Sequence, residues 1–431
     1  MTNFESKFKE LINLVNNNQF DQALTYASDL LKENINNSEL HNILGIIHLK
    51  KNQDNDAVNY FKKAIKLQKN LIHPYINISL IYRRQKLLDK ALKYINYALE
   101  IDVNNEIIHI NKGNILKDLE QYHDSKESYL KAIKINCNIP EAYNNLGTVL
   151  EKLSEFDQAI KNYEKSIKLN NSFVPGYRNL IRLFDDLDNY VLAIKYIEKL
   201  LLLQPDDDSL RHKLSALKEE NVSLYDQTYA RTLHNSKAEK FENHLINNLN
   251  YNAPNQLKEL FDKSLKEKGV FKNAIDIGCG TGLSGFPFYK KIENFVGIDL
   301  SENMLAIAKK KNIYNRLVNG DANSALKNEK KIYDLIISVD TFIYIGNLET
   351  IFENIKKISI TESFFIFTTE HYYGDKFKLN KSGRYSHSYD YIKKILDINS
   401  FKILNFEESN LRKEKGKWIN GGFYITKLKL D

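Results

Sequence analysis

The first half of this chain repeats itself every 34 residues without an insertion, and few sequence properties restrict a fold so sharply. Counted from Phe4, the units begin at Phe4, Ser38, Ile72, Glu106, Pro140 and Val174. One offset holds Ala23, Ala57, Ala91, Ser125, Ala159 and Ala193; another holds Leu30, Ala64, Ala98, Ala132, Ser166 and Leu200. The earlier segment of the central units places Gly45, Ser79, Gly113 and Gly147 at a third. Small residues at fixed offsets let paired helices, and helices of adjoining units, approach closely. Large apolar residues between them (Phe61, Ile78, Tyr129, Leu146, Tyr163, Leu180) fill the seam. One such unit cannot bury its own face, so the units must stack.

Both the period and the small–large spacing resemble tetratricopeptide (TPR) repeats; the fifth unit shows the full pattern, Tyr143-x-x-Leu146-Gly147 and Ala159-x-x-x-Tyr163. The resemblance implies an α-solenoid, a TPR superhelix whose concave groove takes a protein or peptide partner. Asn77, Asn111, Asn144, Asn145 and Arg178 are expected in that groove, where they suit an extended peptide backbone and plain solvation equally. Gln204-Pro205-Asp206-Asp207-Asp208 marks the end of the array, and a helical pattern from Ser209 to Glu220 is expected to cap it.

From Phe271 onward the pattern changes to apolar runs alternating with helical stretches. Strands are predicted at 274–277, 294–298, 316–319, 333–339, 363–369, 401–407 and 422–428. Helices are predicted at 301–311, with Ser301 as its N-cap, and at 348–358. Such alternation predicts a parallel sheet covered on both faces, with ligands bound beyond the carboxyl ends of its strands.

Every chemically informative residue falls at such an end. In Ala274-Ile275-Asp276-Ile277-Gly278-Cys279-Gly280-Thr281-Gly282, an apolar strand ends in an acid and breaks into alternating glycines. Glycine permits positive φ and leaves bare backbone against which a ligand can lie. A helix is expected to begin near Gly282, with Pro287 close to its first turn, aiming free N–H groups at the ligand. Asp299, closing the second strand in Val296-Gly297-Ile298-Asp299, is placed to accept from two ribose hydroxyls. Asp321, in Asn319-Gly320-Asp321-Ala322, lies where an adenine amino group would reach, and Asp276 can face the positive end of a cofactor. Gly280-x-Gly282-x-x-Gly285 also spells a dinucleotide fingerprint, but a frame starting at Gly278 would need glycine where Leu283 stands. The acid ahead of the glycines and the Gly-Asp-Ala after the third strand favour S-adenosylmethionine over NAD.

These motifs resemble those of class I S-adenosylmethionine-dependent methyltransferases, and the whole chain resembles predicted TPR-repeat methyltransferases. The resemblance runs through a lead-in (Tyr225-Asp226, Tyr229-Ala230, Phe241 to Leu245, Tyr251-x-Ala253-Pro254), the glycine motif, and Gly297-Ile298-Asp299-Leu300-Ser301-x-x-Met304-Leu305. It continues in Asp340-x-Phe342-x-Tyr344-Ile345-Gly346 and Ser382-Gly383-Arg384-Tyr385-Ser386-His387-Ser388. It implies an α/β Rossmann-like methyltransferase domain after the solenoid. Asp276, Gly278, Gly280, Gly282, Asp299, Leu300, Met304, Asp321 and Ala322 would hold S-adenosylmethionine, and Asp340 would sit over the methyl-transfer face. Extra residues between Tyr229 and Phe241 depart from the family pattern. The expected divisions are a solenoid at 1–207, a capping helix and lead-in at 208–260, and the catalytic domain at 261–431.

Methyl transfer from a sulfonium is an in-line displacement, so the protein mainly aligns the acceptor and excludes water. A base, where one is needed, is sought among Glu370, His371, Tyr372, Tyr373, Arg384, Tyr385 and His387; His387 is the first choice, with Tyr385 beside it. The alternative for both is that they brace a lid. The segment Ser338-Val339-Asp340-Thr341-Phe342 lacks an Asn/Asp-Pro-Pro-aromatic motif, which disfavours methylation of a nucleobase amine. With only Cys137 and Cys279, neither a disulfide framework nor a cysteine metal site is expected, and the histidines lack metal-ligand spacing.

Charge narrows the partners. Through Asp207 there are 27 basic and 27 acidic residues, so the remaining 35 and 28 carry the whole +7. The runs Lys309-Lys310-Lys311 and Arg412-Lys413-Glu414-Lys415 read as solvated faces, and no nucleic-acid partner, no membrane association and a cytoplasmic location are expected. Two further readings stay open: a non-catalytic TPR scaffold with a cofactor-sensing domain, and an NAD-dependent enzyme.

Overall fold

The structure, a computed structural model, describes residues 3–220, 242, 244–265 and 269–429. Within the lead-in, Tyr225, Asp226, Tyr229, Ala230, Phe241 and Asn243 lie outside the described residues. Two compact units are present, Met1–Tyr196 and Ile197–Asp431, and the division falls inside the helix Tyr190–Leu203.

The first unit is a series of helix pairs in strict register, from Asn3–Asn16 with Phe20–Glu33 through Val174–Asp186 with Tyr190–Leu203. From Asn3–Asn16 to Val174–Asp186 each helix packs on its sequence neighbours within that span, and from Ser38–Lys50 onward the first helices of adjoining pairs also meet. The turn inside every pair carries one left-handed residue, at Asn18, Asn52, Lys86, Glu120, Ser154 and Asp188. These sites share the repeat period, so the reversal is set by backbone geometry and tolerates many side chains. The small residues close the seam as expected. A Cβ on Gly113 would stand 2.7 Å from the Tyr129 ring, and one on Gly147 2.6 Å from the Tyr163 ring. A second device recurs at the joints between pairs. His41, Tyr75, His109 and Tyr177 share one offset, and each bonds the carbonyl six residues earlier, at Ile35, Lys69, Val103 and Asn171.

The second unit is built on a sheet whose strands are β1 (Phe271–Ile277), β2 (Ile292–Asp299), β3 (Arg316–Asn319), β4 (Tyr333–Ser338), β5 (Ser359–His371), β6 (Phe377–Leu379), β7 (Tyr385–His387), β8 (Phe401–Glu414) and β9 (Lys417–Leu428). The path is β3-β2-β1-β4-β5-β7-β6, with β9 along the other edge of β5, from Phe364 to Glu370, and β8 beyond it. Strands β1 to β5 are parallel, and the order reverses between β1 and β4, which makes the switch point where such sheets bind ligands. Alternation sends Ile275 and Ile277 into one core with Phe352, Phe365 and Phe367, and Ala274 into the other with Leu257, Phe261 and Ile366.

Three expectations need correction. The sheet is not wholly parallel: β8 and β9 form an antiparallel hairpin because Lys415 and Gly416, both at positive φ (47° and 78°), make a two-residue turn too short for a crossover. No α-helix follows the glycines; residues 281–288 form turns, then a single 3-10 turn at Tyr289–Lys291. Gly282 sits at φ +89°, outside the helical region, while Pro287 lacks a donor and disfavours helical backbone at Phe286. A helix does form where one was expected before the lead-in: Asp208–Leu217 lies in the second unit and packs on the β6–β7 turn. There His212 Nε2 contacts the Gly383 carbonyl at 2.8 Å, Lys213 donates to the Lys381 carbonyl at 2.8 Å, and Ala216 packs on Leu379 and Tyr385. Finally, the two basic runs are not simply solvated: Lys311 pairs with Glu242 at 2.5 Å, and Arg412 is buried. No helix among the described residues is long and apolar enough to cross a membrane.

Candidate active site

Strand register brings the cofactor candidates level with one another. Asp276 pairs with Gly297 across β1 and β2, and Asp299 with Asn319 across β2 and β3. Gly278, Gly280, Asp299, Leu300 and Asp321 therefore converge at one carboxyl edge. Gly278, Gly280 and Gly282 all lie at positive φ, +72°, +54° and +89°. Their surroundings differ. A Cβ on Gly278 would collide with Thr341, whose hydroxyl donates to the Ile277 carbonyl at 2.9 Å, so that glycine serves the packing of its own chain. A Cβ on Gly280 would meet nothing within 4 Å among the described residues, which leaves an open face of bare backbone there.

Asp276 is fully buried. Its Oδ2 accepts from Ser284 at 2.7 Å and Tyr314 at 2.6 Å, while burial pushes its carboxyl up to about 7. Asp299 accepts the Gly280 N–H at 2.9 Å on Oδ2 and the Ser301 N–H at 2.8 Å on Oδ1, and burial raises its pKa too. It thus ties the glycine turn to the next helix and keeps lone pairs for a ligand. Ser301 caps Glu302–Lys311 by accepting the N–H of Met304, a buried residue. Asp321 caps Ala322–Asn328 by accepting the Ser324 N–H at 2.8 Å. Three buried oxygens around this edge, Asp276 Oδ1, Thr281 Oγ1 and Asp321 Oδ1, have no hydrogen-bond partner among the described residues. Buried acceptors without donors are rare in folded proteins, and these suit a ligand bearing amino or other positive groups.

A second group of charged residues lies past β4 and β5. Asp340, at φ +59°, has both oxygens held by Arg412 Nη1, at 3.0 and 2.8 Å, and Arg412 Nη2 bonds Glu370. Glu370 is buried, and that burial raises its pKa against the pull of Arg412. Arg384 donates to Glu414 at 2.7 Å. Half-buried Tyr251 stands between the two groups. Burial holds its phenol well above the ordinary value, with Asp340, Arg412, Asp276 and Tyr344 acting on it.

His387 and Tyr385 lie apart from that group. His387 is fully buried, its Nε2 at 2.9 Å from the Ile345 carbonyl and 3.0 Å from that of Gly346, so this nitrogen carries the proton and donates. Burial lowers its pKa to about 4. Tyr385 is also fully buried, its ring filling the space a side chain at Gly346 would need. His371 and Tyr373 turn towards Glu408 on β8, at 3.4 and 2.6 Å. Among the expected groove residues, Asn144 accepts from Asn179 at 2.8 Å and Asn145 donates to Asn114 at 3.2 Å, so these asparagines link successive pairs; Arg178 is exposed.

Residues 274–359 match a family described as a methyltransferase domain, and 8–71, 72–105, 113–154 and 140–173 match tetratricopeptide-repeat families. The chain joins a TPR array to a methyltransferase domain. It is 30% identical over 186 residues to a probable S-adenosylmethionine-dependent methyltransferase, CRG1, of Saccharomyces cerevisiae, which covers 40% of this chain and 62% of that protein. With the 18S rRNA (guanine-N(7))-methyltransferase RID2 of Arabidopsis thaliana it shares 31% identity over 86 residues, 20% of this chain and 30% of the relative. The chain thus spans less than two thirds of the length of either relative. A solved S-adenosylmethionine-dependent methyltransferase from Clostridium acetobutylicum is 20% identical, with a TM-score of 0.36 over 45% of this chain and 99% of its own.

Sequence reasoning missed Ser284 and Tyr314, which bond Asp276, and above all Arg412. The methyltransferase domain receives it from β8, 72 residues after its partner Asp340. A basic run in the sequence concealed it, and no local signal distinguishes a buried arginine there from its exposed neighbours.

Proposed function

We propose that this chain is an S-adenosylmethionine-dependent methyltransferase whose TPR array binds a protein or peptide as partner or substrate. One arrangement supports the reading above all: Gly280, whose backbone face is open, donates its N–H to Asp299, and at the same carboxyl edge a buried Asp276 oxygen has no hydrogen-bond partner among the described residues. When bound, the cofactor supplies a methyl group on a positively charged sulfur. Asp276 and Asp321 would face its amino and positive groups, Asp299 its ribose, and Gly280 the nucleoside. Gly282, Leu300, Met304 and Ala322 would complete the surround.

On the acceptor side the reading is one of alignment rather than proton transfer. Asp340 and Glu370 are engaged by Arg412, and the only protonated nitrogen of His387 is spent on two carbonyls. His387 and Tyr385 would brace the Tyr344-Ile345-Gly346 loop. Methyl transfer needs little more than approach geometry and exclusion of water, which such a braced loop supplies.

Calorimetric titration of the full chain with S-adenosylmethionine tests the cofactor. Saturable heat at one site is expected, and none with NADH; the reverse result would overturn the proposal. Capture with residues 1–207 as bait, followed by transfer of labelled methyl to the captured material, tests the array.

A further inference from the structure

The hairpin of β8 and β9 is longer than the sheet that carries it. Strand β9 pairs with β5 only from Gly421 to Lys427, and the last β5 partner is Glu370. Pairing between β8 and β9 nevertheless continues through Asn410–Asn420, Arg412–Ile419, Lys413–Trp418 and Glu414–Lys417. This end of the hairpin overhangs the carboxyl edge of the sheet, the edge at which Asp276, Asp299 and Asp340 lie. A two-stranded ribbon is marginal on its own and needs something to pack against.

The overhang is tied down by side chains. A register shift between Asn410 and Arg412 breaks the strand's alternation, so that Leu411 and Arg412 both face inward, at 0% and 1% exposure. Leu411 joins the core under the sheet. Arg412 holds both oxygens of Asp340 and one of Glu370, while Glu414, two residues on, receives Arg384 from the start of β7. Three contacts from two residues of one strand thus reach the ends of β4, β5 and β7.

We propose that this overhang is the acceptor-side wall of the site and that Arg412 is the positioning residue that latches it, through Asp340 and Glu370, beside the cofactor edge. The inference rests on the methyltransferase reading. It gives Asp340 the part of an anchor: a carboxylate with both oxygens on one guanidinium fixes the wall and does not take a proton from the acceptor. The wall then limits which acceptors fit, because an acceptor must lie between it and the glycine turn.

Trp418 is the chain's single tryptophan and lies on the overhang, partly exposed, with Lys413 5.1 Å over its ring. It reports on the wall without any acceptor. The full chain, Arg412→Lys and Glu414→Gln would be compared by hydrogen exchange, acrylamide quenching of Trp418 and calorimetry with S-adenosylhomocysteine. Lysine keeps the charge but cannot span two carboxylates. Exchange of amides 409–419 and 340–346 should quicken about tenfold in Arg412→Lys and less in Glu414→Gln, with steeper Trp418 quenching. Amides 271–277 and the affinity for S-adenosylhomocysteine should stay as in the parent. Unchanged exchange in the overhang, or a loss of protection spread evenly over the sheet, would overturn the proposal. Should Arg412→Lys fail to fold, Glu414→Gln decides. A parent chain that binds no S-adenosylhomocysteine would sink the methyltransferase reading instead, and the exchange result would show that failure to be separate.

Discussion

Tyr314 donates its phenolic hydrogen to Oδ2 of Asp276 across 2.6 Å, inside a core where the carboxyl is pushed up to about 7 by burial. The bond favours the ionised acid, as does the one from Ser284, so both oppose the desolvation that dominates. A cationic ligand engages the carboxylate and not the neutral acid. Affinity for S-adenosylmethionine should therefore climb by up to about tenfold per pH unit below 7 and level off above it. In Tyr314→Phe the break should move to higher pH by roughly one unit, the worth of one hydrogen bond to a charged group. Calorimetry from pH 5.5 to 8.5 measures both, and affinity indifferent to pH would separate Asp276 from the ligand.

Two glycines two residues apart should respond in opposite ways. Gly280→Ala places its methyl in open space at φ +54°, a backbone cost of about 1–2 kcal/mol, so the fold should survive. Binding of S-adenosylmethionine should nonetheless drop by about a hundredfold, because that space is the proposed nucleoside surface. Gly278→Ala drives its methyl into Thr341 at φ +72° and should cost roughly 2–5 kcal/mol of stability. Denaturant unfolding of both variants, paired with calorimetry, distinguishes them. Full cofactor affinity in Gly280→Ala would move the ligand elsewhere.

What could be read in advance follows physical range. The helix pairs were legible because each contact in the seam, such as Gly147 on Tyr163, recurs one period later. Most strands of the sheet were legible as apolar runs. Strands β6 and β7 were not, since three residues each give no periodicity and their pairing depends on β5. The helix expected after Gly282 failed on local chemistry that was present in the sequence, namely several glycines and Pro287. Arg412 shows the opposite limit: its burial follows from a bulge and from acids 72 and 42 residues away, which composition alone treats as a solvated run.

The seam of the array makes a direct test of stacking. A methyl added at Gly147 would press on the Tyr163 ring at 2.6 Å, and the ring's hydroxyl is tied to Glu151, so it cannot swing aside freely. Gly147→Ala should cost about 1–3 kcal/mol by overpacking, and Tyr163→Leu in the same chain should restore part of it. Thermal unfolding followed by far-ultraviolet dichroism reads the helices. Two losses that simply add would mean the residues do not share a seam.

His387 and Asp276 push the pH dependence of stability in opposite directions. The folded pKa of His387 is lowered to about 4 from an ordinary 6.5, so the unfolded chain binds more protons between those values; its contribution is present above 6.5 and lost as pH falls towards 4. Asp276 is raised from 3.8 to about 7, so the folded chain binds more protons there, and its contribution is present below 4 and lost as pH rises through 7. The two slopes, each about 1.4 kcal/mol per pH unit, nearly cancel between pH 4.5 and 6.5. In His387→Gln, which keeps a donor for the Ile345 and Gly346 carbonyls, only the Asp276 slope remains. Relative to the parent, stability of the variant should then fall by about 1.4 kcal/mol for each unit of rising pH across that window. Urea unfolding followed by Trp418 emission gives the measurement, and parallel curves for the two proteins would mean that His387 is not held neutral by burial.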